Sequence, residues 1–138
     1  MKKILFVTYG GGHVNMVVPV IKELQKKDDF DIVVLGLTTA GSVLKGNNIP
    51  YIGFRDLLGV NDNALKWGKR LVDKNNESNL VSYEESIAYM GLSYVDLEVE
   101  HGIRKAAKLY KKYGRQIFNP VTTIQQLLNL ECPALVIA

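Results

Sequence analysis

Cysteine occurs once in this sequence, at Cys132, and histidine only twice, at His13 and His101. A single cysteine excludes an internal disulfide framework and a multi-cysteine zinc site. Two histidines leave little material for a histidine metal site, so no metal is expected. Neither charge sign dominates: 17 Lys+Arg against 14 Asp+Glu give a net +3. That balance is too small and too evenly spread for a nucleic-acid binder. No apolar run approaches the roughly 20 residues that cross a bilayer. Met1-Lys2-Lys3 carries the charge of a signal-peptide flank, but the apolar run behind it is short and Gly10-Gly11-Gly12-His13 interrupts it. It reads as a strand. What is present is a chain of 138 residues, 47% apolar and 22% charged, which argues against disorder. Such a chain fits one domain, 1–138, burying roughly 70% of its unfolded surface. A soluble domain of a reducing compartment, the cytoplasm, is expected.

Ile4-Leu5-Phe6-Val7-Thr8 is a continuous β-rich apolar run, the pattern of a strand buried on both faces. After the glycines, Val14, Val17, Val18, Ile21 and Leu24 recur at helical spacing. Residues 31–36 read as a second buried strand, 39–45 as a short helix stopped at Gly46, and 50–54 as a third strand. This β-α-β-α-β order argues for a three-layer α/β, Rossmann-like domain with a mainly parallel sheet. Residues 61–79 hold five asparagines and read as a surface excursion with one helix around Leu65 to Val72.

From Tyr83 the pattern is helical again, with Val95, Val99, Ile103, Ala106, Tyr110 and Tyr113 as a stripe that Gly102 weakens. Arg104, Lys105, Lys108, Lys111, Lys112 and Arg115 cluster near its end without a carboxylate among them. A solvated C-terminal face complementing the helix dipole is the plain account, and a patch for anionic lipid headgroups the sharper one. Asn119-Pro120 reads as N-cap and first helical position, with Val121, Ile124, Leu127 and Leu128 on one apolar face. Residues 133–138 then read as a fourth buried strand, giving sheet order 3-2-1-4. Ligands of parallel sheets lie just beyond strand C-termini, and the loop after this strand is absent, so a longer parent chain is expected.

The most specific feature is Thr8-Tyr9-Gly10-Gly11-Gly12-His13-Val14-Asn15, between the first strand and the first helix. Glycines there allow positive φ and close backbone approach, and a helix N-terminus suits phosphate or carboxylate. Three glycines alone could simply make a tight turn. Two phosphate motifs fail: Asn15 stands where a dinucleotide fingerprint needs its third glycine, and Asn47 stands where a P-loop after Gly41 and Gly46 needs lysine. His13 can serve as a general base to a sugar hydroxyl or as a positioning group; capping the helix is the structural alternative. His101, beside Glu98 and Glu100, reads as a solvated histidine, and Cys132 as a small buried residue.

The strand followed by Gly10-Gly11-Gly12-His13-Val14-Asn15 resembles the start of GT-B-fold glycosyltransferases, among them the N-acetylglucosaminyltransferase of peptidoglycan synthesis and natural-product enzymes that begin Gly-His-Val-Asn-Pro. The resemblance implies the acceptor-side N-terminal domain of a two-domain, metal-free enzyme that transfers sugar from a nucleotide-sugar to a polysaccharide, glycolipid or small-molecule acceptor. It implies no cofactor, a donor-binding C-terminal domain as partner, and a location in the cytoplasm with peripheral contact at the inner membrane face left open. His13 would be catalytic, and Gly10, Gly11, Gly12, Val14 and Asn15 would bind substrate. The motif-level likeness spans roughly residues 4 to 24, and Met16 stands where the family has proline. Pro19 to Leu24 also resembles the first helix of non-hydrolysing UDP-N-acetylglucosamine 2-epimerases, which carry Gly-Thr-Arg where this chain has three glycines. An epimerase of that architecture, or a nucleotide- or anion-binding module without chemistry, are the alternatives.

Overall fold

A strand buried on both faces can be built only where its apolar side chains find partners on either side, and Ile4, Leu5 and Phe6 all do. They belong to β1 (Lys2–Thr8), the middle strand of a parallel sheet completed by β2 (Phe30–Gly36) and β3 (Leu135–Ile137) in the order β2-β1-β3. The computed structural model describes residues 1–72 and 81–138. The protein is α/β, with a small open sheet. The chain divides into two compact units: Met1–Gly53 with Val81 and Leu128–Ala138, and 54–72 with Ser82–Leu127.

In the first unit, α1 (Gly12–Gln25) and α2 (Ala40–Gly46) follow β1 and β2. Val14, Val18 and Ile21 of α1 and Ala40 and Leu44 of α2 pack on the sheet face carrying Ile4, Phe6 and Val34. Each fully buried Val, Leu, Ile or Phe among them contributes about 1.5–3 kcal/mol relative to exposure. Pro19 sits inside α1, where its ring costs the helix the bond to the Asn15 carbonyl. At the sheet's other end Lys3 Nζ pairs with Glu131 at 2.9 Å and approaches Asp31 at 4.0 Å.

The expected third strand shrinks to one parallel bridge, Ile52 with Leu35. Ile52 donates its N–H to Val34 and accepts from Gly36, both at 2.8 Å, but two residues on the chain turns into α3 (Phe54–Leu58). With Ile52 outside β2, the succession of paired segments agrees with the expected 3-2-1-4. The fourth strand is present but not buried: Leu135 is 52% and Val136 44% exposed. Cys132 is exposed too, at φ 45°, its Sγ 3.2 Å from the Asn129 carbonyl. The left-handed position after the preceding helix turns that side chain outward.

The second unit is helical: α3, α4 (Asp62–Leu71), α5 (Tyr83–His101), α6 (Ile103–Tyr113), a 3-10 turn (Gly114–Ile117) and most of α7 (Val121–Glu131). The helix expected around Leu65 starts earlier because Asn61 caps it, accepting the Ala64 N–H at 3.0 Å. The rest of that asparagine-rich tract, 73–79, lies outside the described residues. Helices α4 and α5 approach closely through small residues: a Cβ on Gly68 would strike the Ile87 carbonyl, and one on Gly91 the Ala64 carbonyl.

Gly102 does more than weaken a helix. At φ 84° it ends α5 and starts α6, which breaks the expected stripe: Ala106 is buried, while Val99 and Ile103 are 72% and 73% exposed. Packing is carried instead by rings in succession. Phe54 meets Tyr89, Tyr89 meets Phe118, Phe118 stacks on Tyr110, Tyr110 meets Tyr94, and Tyr94 lies 4.2 Å from Trp67. Such pairs contribute about 0.5–1.5 kcal/mol each beyond burial.

Two buried carboxylates of α5 finish other helices. Glu85 accepts the N–H groups of Phe54 and Arg55 at 2.8 and 3.1 Å, and Asp96 those of Thr122 and Thr123 at 3.1 and 3.5 Å. Asn119 therefore does not cap α7. The Pro120 carbonyl accepts the first helical bond, from Ile124, and Asp96 serves as the cap. Val121, expected on the apolar face of α7, is 56% exposed, whereas Thr123 and Leu127 are buried.

Candidate functional site

The chain crosses from one side of β1 to the other between β2 and β3, so the crevice beyond the C-terminal end of β1 adjoins a topological switch point. The glycine turn leaves β1 there. Thr8, fully buried, anchors it: its hydroxyl donates to the Leu35 carbonyl at 2.9 Å, and its carbonyl accepts the Leu37 N–H at 2.9 Å. That second bond carries the ladder into the next turn and places Thr39 against Gly10, where any Cβ would collide with the threonine hydroxyl. Thr38 is held at φ 52°, a strained angle for a β-branched residue.

Gly11 is the N-cap of α1, at φ 72° and ψ −139°, a conformation open to glycine and costly to other residues. No side chain caps this helix and no acidic residue stands in its first turn. The N–H groups of Gly12, His13 and Val14 therefore have no intrahelical acceptor and carry the positive end of the helix dipole. Gly12 faces open space.

His13 is half-buried. Its Nδ1 accepts the Tyr9 N–H at 3.3 Å, and its ring stacks on Tyr9, centroids 3.8 Å apart and planes 4° from parallel. Asn15 turns back along the helix, Nδ2 donating to the Gly11 carbonyl at 3.2 Å. Of the expected site residues, Gly10, Gly11, Gly12, His13 and Asn15 line one turn. Val14 does not present its side chain there: it is fully buried in the core, and only its backbone amide can face a ligand. Tyr9, part of the segment picked out in the sequence but not expected to bind, joins the site, as do Thr38 and Thr39 from the turn after β2. The general rule that ligand residues follow strand C-termini points to all three, since Tyr9 follows β1 and the threonines follow β2.

The chain matches no family model, no curated protein and no solved structure. Its chemistry must therefore be read from the residues themselves.

The remaining candidates lie elsewhere. His101 ends α5, its imidazole 3.8 Å from Glu100. The six cations from Arg104 to Arg115 are all exposed, and none forms an ion pair with a described residue; Lys112 lies 5.1 Å from the Tyr113 ring. A surface depression of about 420 Å³ is lined by Lys45, Asn48, Ile49, Pro50 and Tyr51, none of them in the turn. Among the described residues no cluster of three or more His, Cys, Asp or Glu is placed to hold a metal. None of the helices described is long and apolar enough to cross a membrane.

Proposed function

We propose that this chain is the acceptor-side, N-terminal portion of a GT-B-type glycosyltransferase that uses a nucleotide-sugar. One observation carries the reading: a glycine turn with a histidine leaves the central strand beside the switch point and opens onto an uncapped helix. In the reaction the acceptor oxygen bonds to the anomeric carbon as the bond from that carbon to the diphosphate breaks. The diphosphate leaves with the electron pair, and the acceptor's proton passes to a base or to water. The unpaired amides of residues 12–14 are suited to the negative charge that grows on the leaving group, with preorganised N–H groups stabilising it in the transition state. A second, donor-binding domain would hold the nucleotide. The exposed cations of α6 suit peripheral contact with anionic lipid, in keeping with a cytoplasmic enzyme that has a membrane-borne acceptor.

The test has two parts. Titrating UDP or phosphate into the 138-residue chain should shift the amides of 11–14 first, and the full-length protein should transfer sugar from UDP- or dTDP-sugars. Shifts confined to 104–115 would make the basic helix the anion site. Shifts at the turn without transfer would leave a binding module.

A further inference from the structure

We infer that His13 works as a hydrogen-bond donor through Nε2, positioning an oxygen of the substrate, and not as the base that removes the acceptor's proton. The inference deepens the glycosyl-transfer reading and rests on it for the identity of the substrate. Its structural premise stands apart from that reading.

A backbone N–H can only donate. The Tyr9 N–H points at His13 Nδ1 from 3.3 Å, so Nδ1 must present a lone pair. A neutral imidazole has a single N–H, which this contact assigns to Nε2. The Tyr9 ring, stacked 3.8 Å away, covers one face of the imidazole and fixes its plane. Turning the ring by half a turn about Cβ–Cγ would keep its plane and the stack, but it would put a carbon where Nδ1 accepts the Tyr9 N–H and lose the hydrogen bond. Both restraints come from the residue four positions earlier, so the arrangement is built into the turn. Nε2, across the ring from Nδ1, has no partner among the described residues.

A histidine base needs the reverse polarity. Its reacting nitrogen carries the lone pair, and an acceptor such as a carboxylate or carbonyl holds the hydrogen on the other nitrogen. Here the partner of the other nitrogen is a donor, and the ring's one lone pair is already engaged. What the turn offers at Nε2 is an N–H, which recognises oxygen lone pairs: a phosphoryl oxygen of the donor or a hydroxyl oxygen of the acceptor. Proton removal then belongs to another group, and His13 is a positioning residue.

The tautomer is read directly. In the 138-residue chain with ¹⁵N-labelled histidine, long-range proton–nitrogen correlations should show Nε2 protonated and Nδ1 of the lone-pair type. A proton on Nδ1 overturns the inference whatever the enzyme does. Adding UDP or inorganic phosphate should move the Nε2 resonance if the oxygen is phosphoryl, and an unphosphorylated acceptor sugar should move it if it is a hydroxyl; no response to any of them overturns the positioning role. In the full-length protein, His13→Gln places an amide N–H near the Nε2 position. It should keep kcat/KM within about tenfold of wild type, while His13→Ala loses about 10–100-fold, the worth of one hydrogen bond to a charged group. If Gln falls as far as Ala, by the roughly 10²–10⁴-fold typical of a lost base, the inference is wrong. Absence of any transfer by the wild type would overturn the proposed function and leave the tautomer and titration results standing.

Discussion

In the helical unit, side-chain oxygens close the first turns of four helices: Glu85 for α3, Asn61 for α4, Ser82 for α5 and Asp96 for α7. In the sheet unit, neither α1 nor α2 has a side-chain cap. The exception in the helical unit is α6, which starts on Gly102 directly after α5. A closed first turn has spent its donors within the protein, and an open one keeps them for solvent or a ligand. The contrast assigns the two units different work: one is finished internally, and the other leaves its donors beside a histidine at the end of a strand.

The largest effect expected from breaking this contrast is at the α4–α5 crossing. Gly91→Ala or Gly68→Ala should cost about 1–3 kcal/mol of stability in urea unfolding, because the new methyl meets a backbone carbonyl. Gly12→Ala, facing open space, should cost far less. Removing an internal cap comes next: Asp96→Ala should lower stability by about 1–2 kcal/mol, and Asp96→Asn, which keeps an acceptor, by less. At the open helix, Gly11→Ala should cost about 1 kcal/mol through its positive φ and weaken the amide response to UDP. A Gly11→Ala protein that binds UDP normally would remove the turn from the site.

The smallest effect is a pH dependence. Burial raises the Glu85 carboxyl above its ordinary 4.5, against the lowering pull of the two N–H groups it accepts. The folded state therefore holds this proton more tightly than the unfolded state. The contribution is fully present below pH 4.5 and is lost as pH rises through the folded-state value. Wild type should accordingly gain stability relative to Glu85→Gln as pH is lowered through that window. Parallel stability curves for the two proteins would remove Glu85 as the source.

Where a pattern repeats locally, the sequence is a good guide. β1, α1, β2 and α2 follow from apolar runs and helical spacing, and Gly10 to His13 announce the turn. Cross-chain partners decide the rest. Pro50 to Phe54 looks like a strand, yet Glu85, thirty-one residues away from Phe54, takes the Phe54 N–H and starts a helix there. Asn119 looks like a cap, yet Asp96 does that work from α5. Cys132 looks like a core residue, and only its left-handed backbone turns it out. Val14 fits both the motif and the helical stripe, and the stripe wins. No spacing rule foretells that Tyr9 stacks on His13, because aromatic contact at this turn depends on the angle Gly11 gives it.

The line of rings in the helical unit also makes the molecule its own instrument. Trp67 is the only tryptophan, it lies against Tyr94 with the Arg70 guanidinium 5.3 Å from its ring, and the sheet unit has none. Its emission therefore reports the melting of one unit alone, with Tyr94 close enough to pass excitation to it. The Tyr9–His13 stack belongs to the other unit and is silent in that channel. Following tryptophan emission and the amides of 11–14 through the same denaturant series would show whether the two units give way together or in turn.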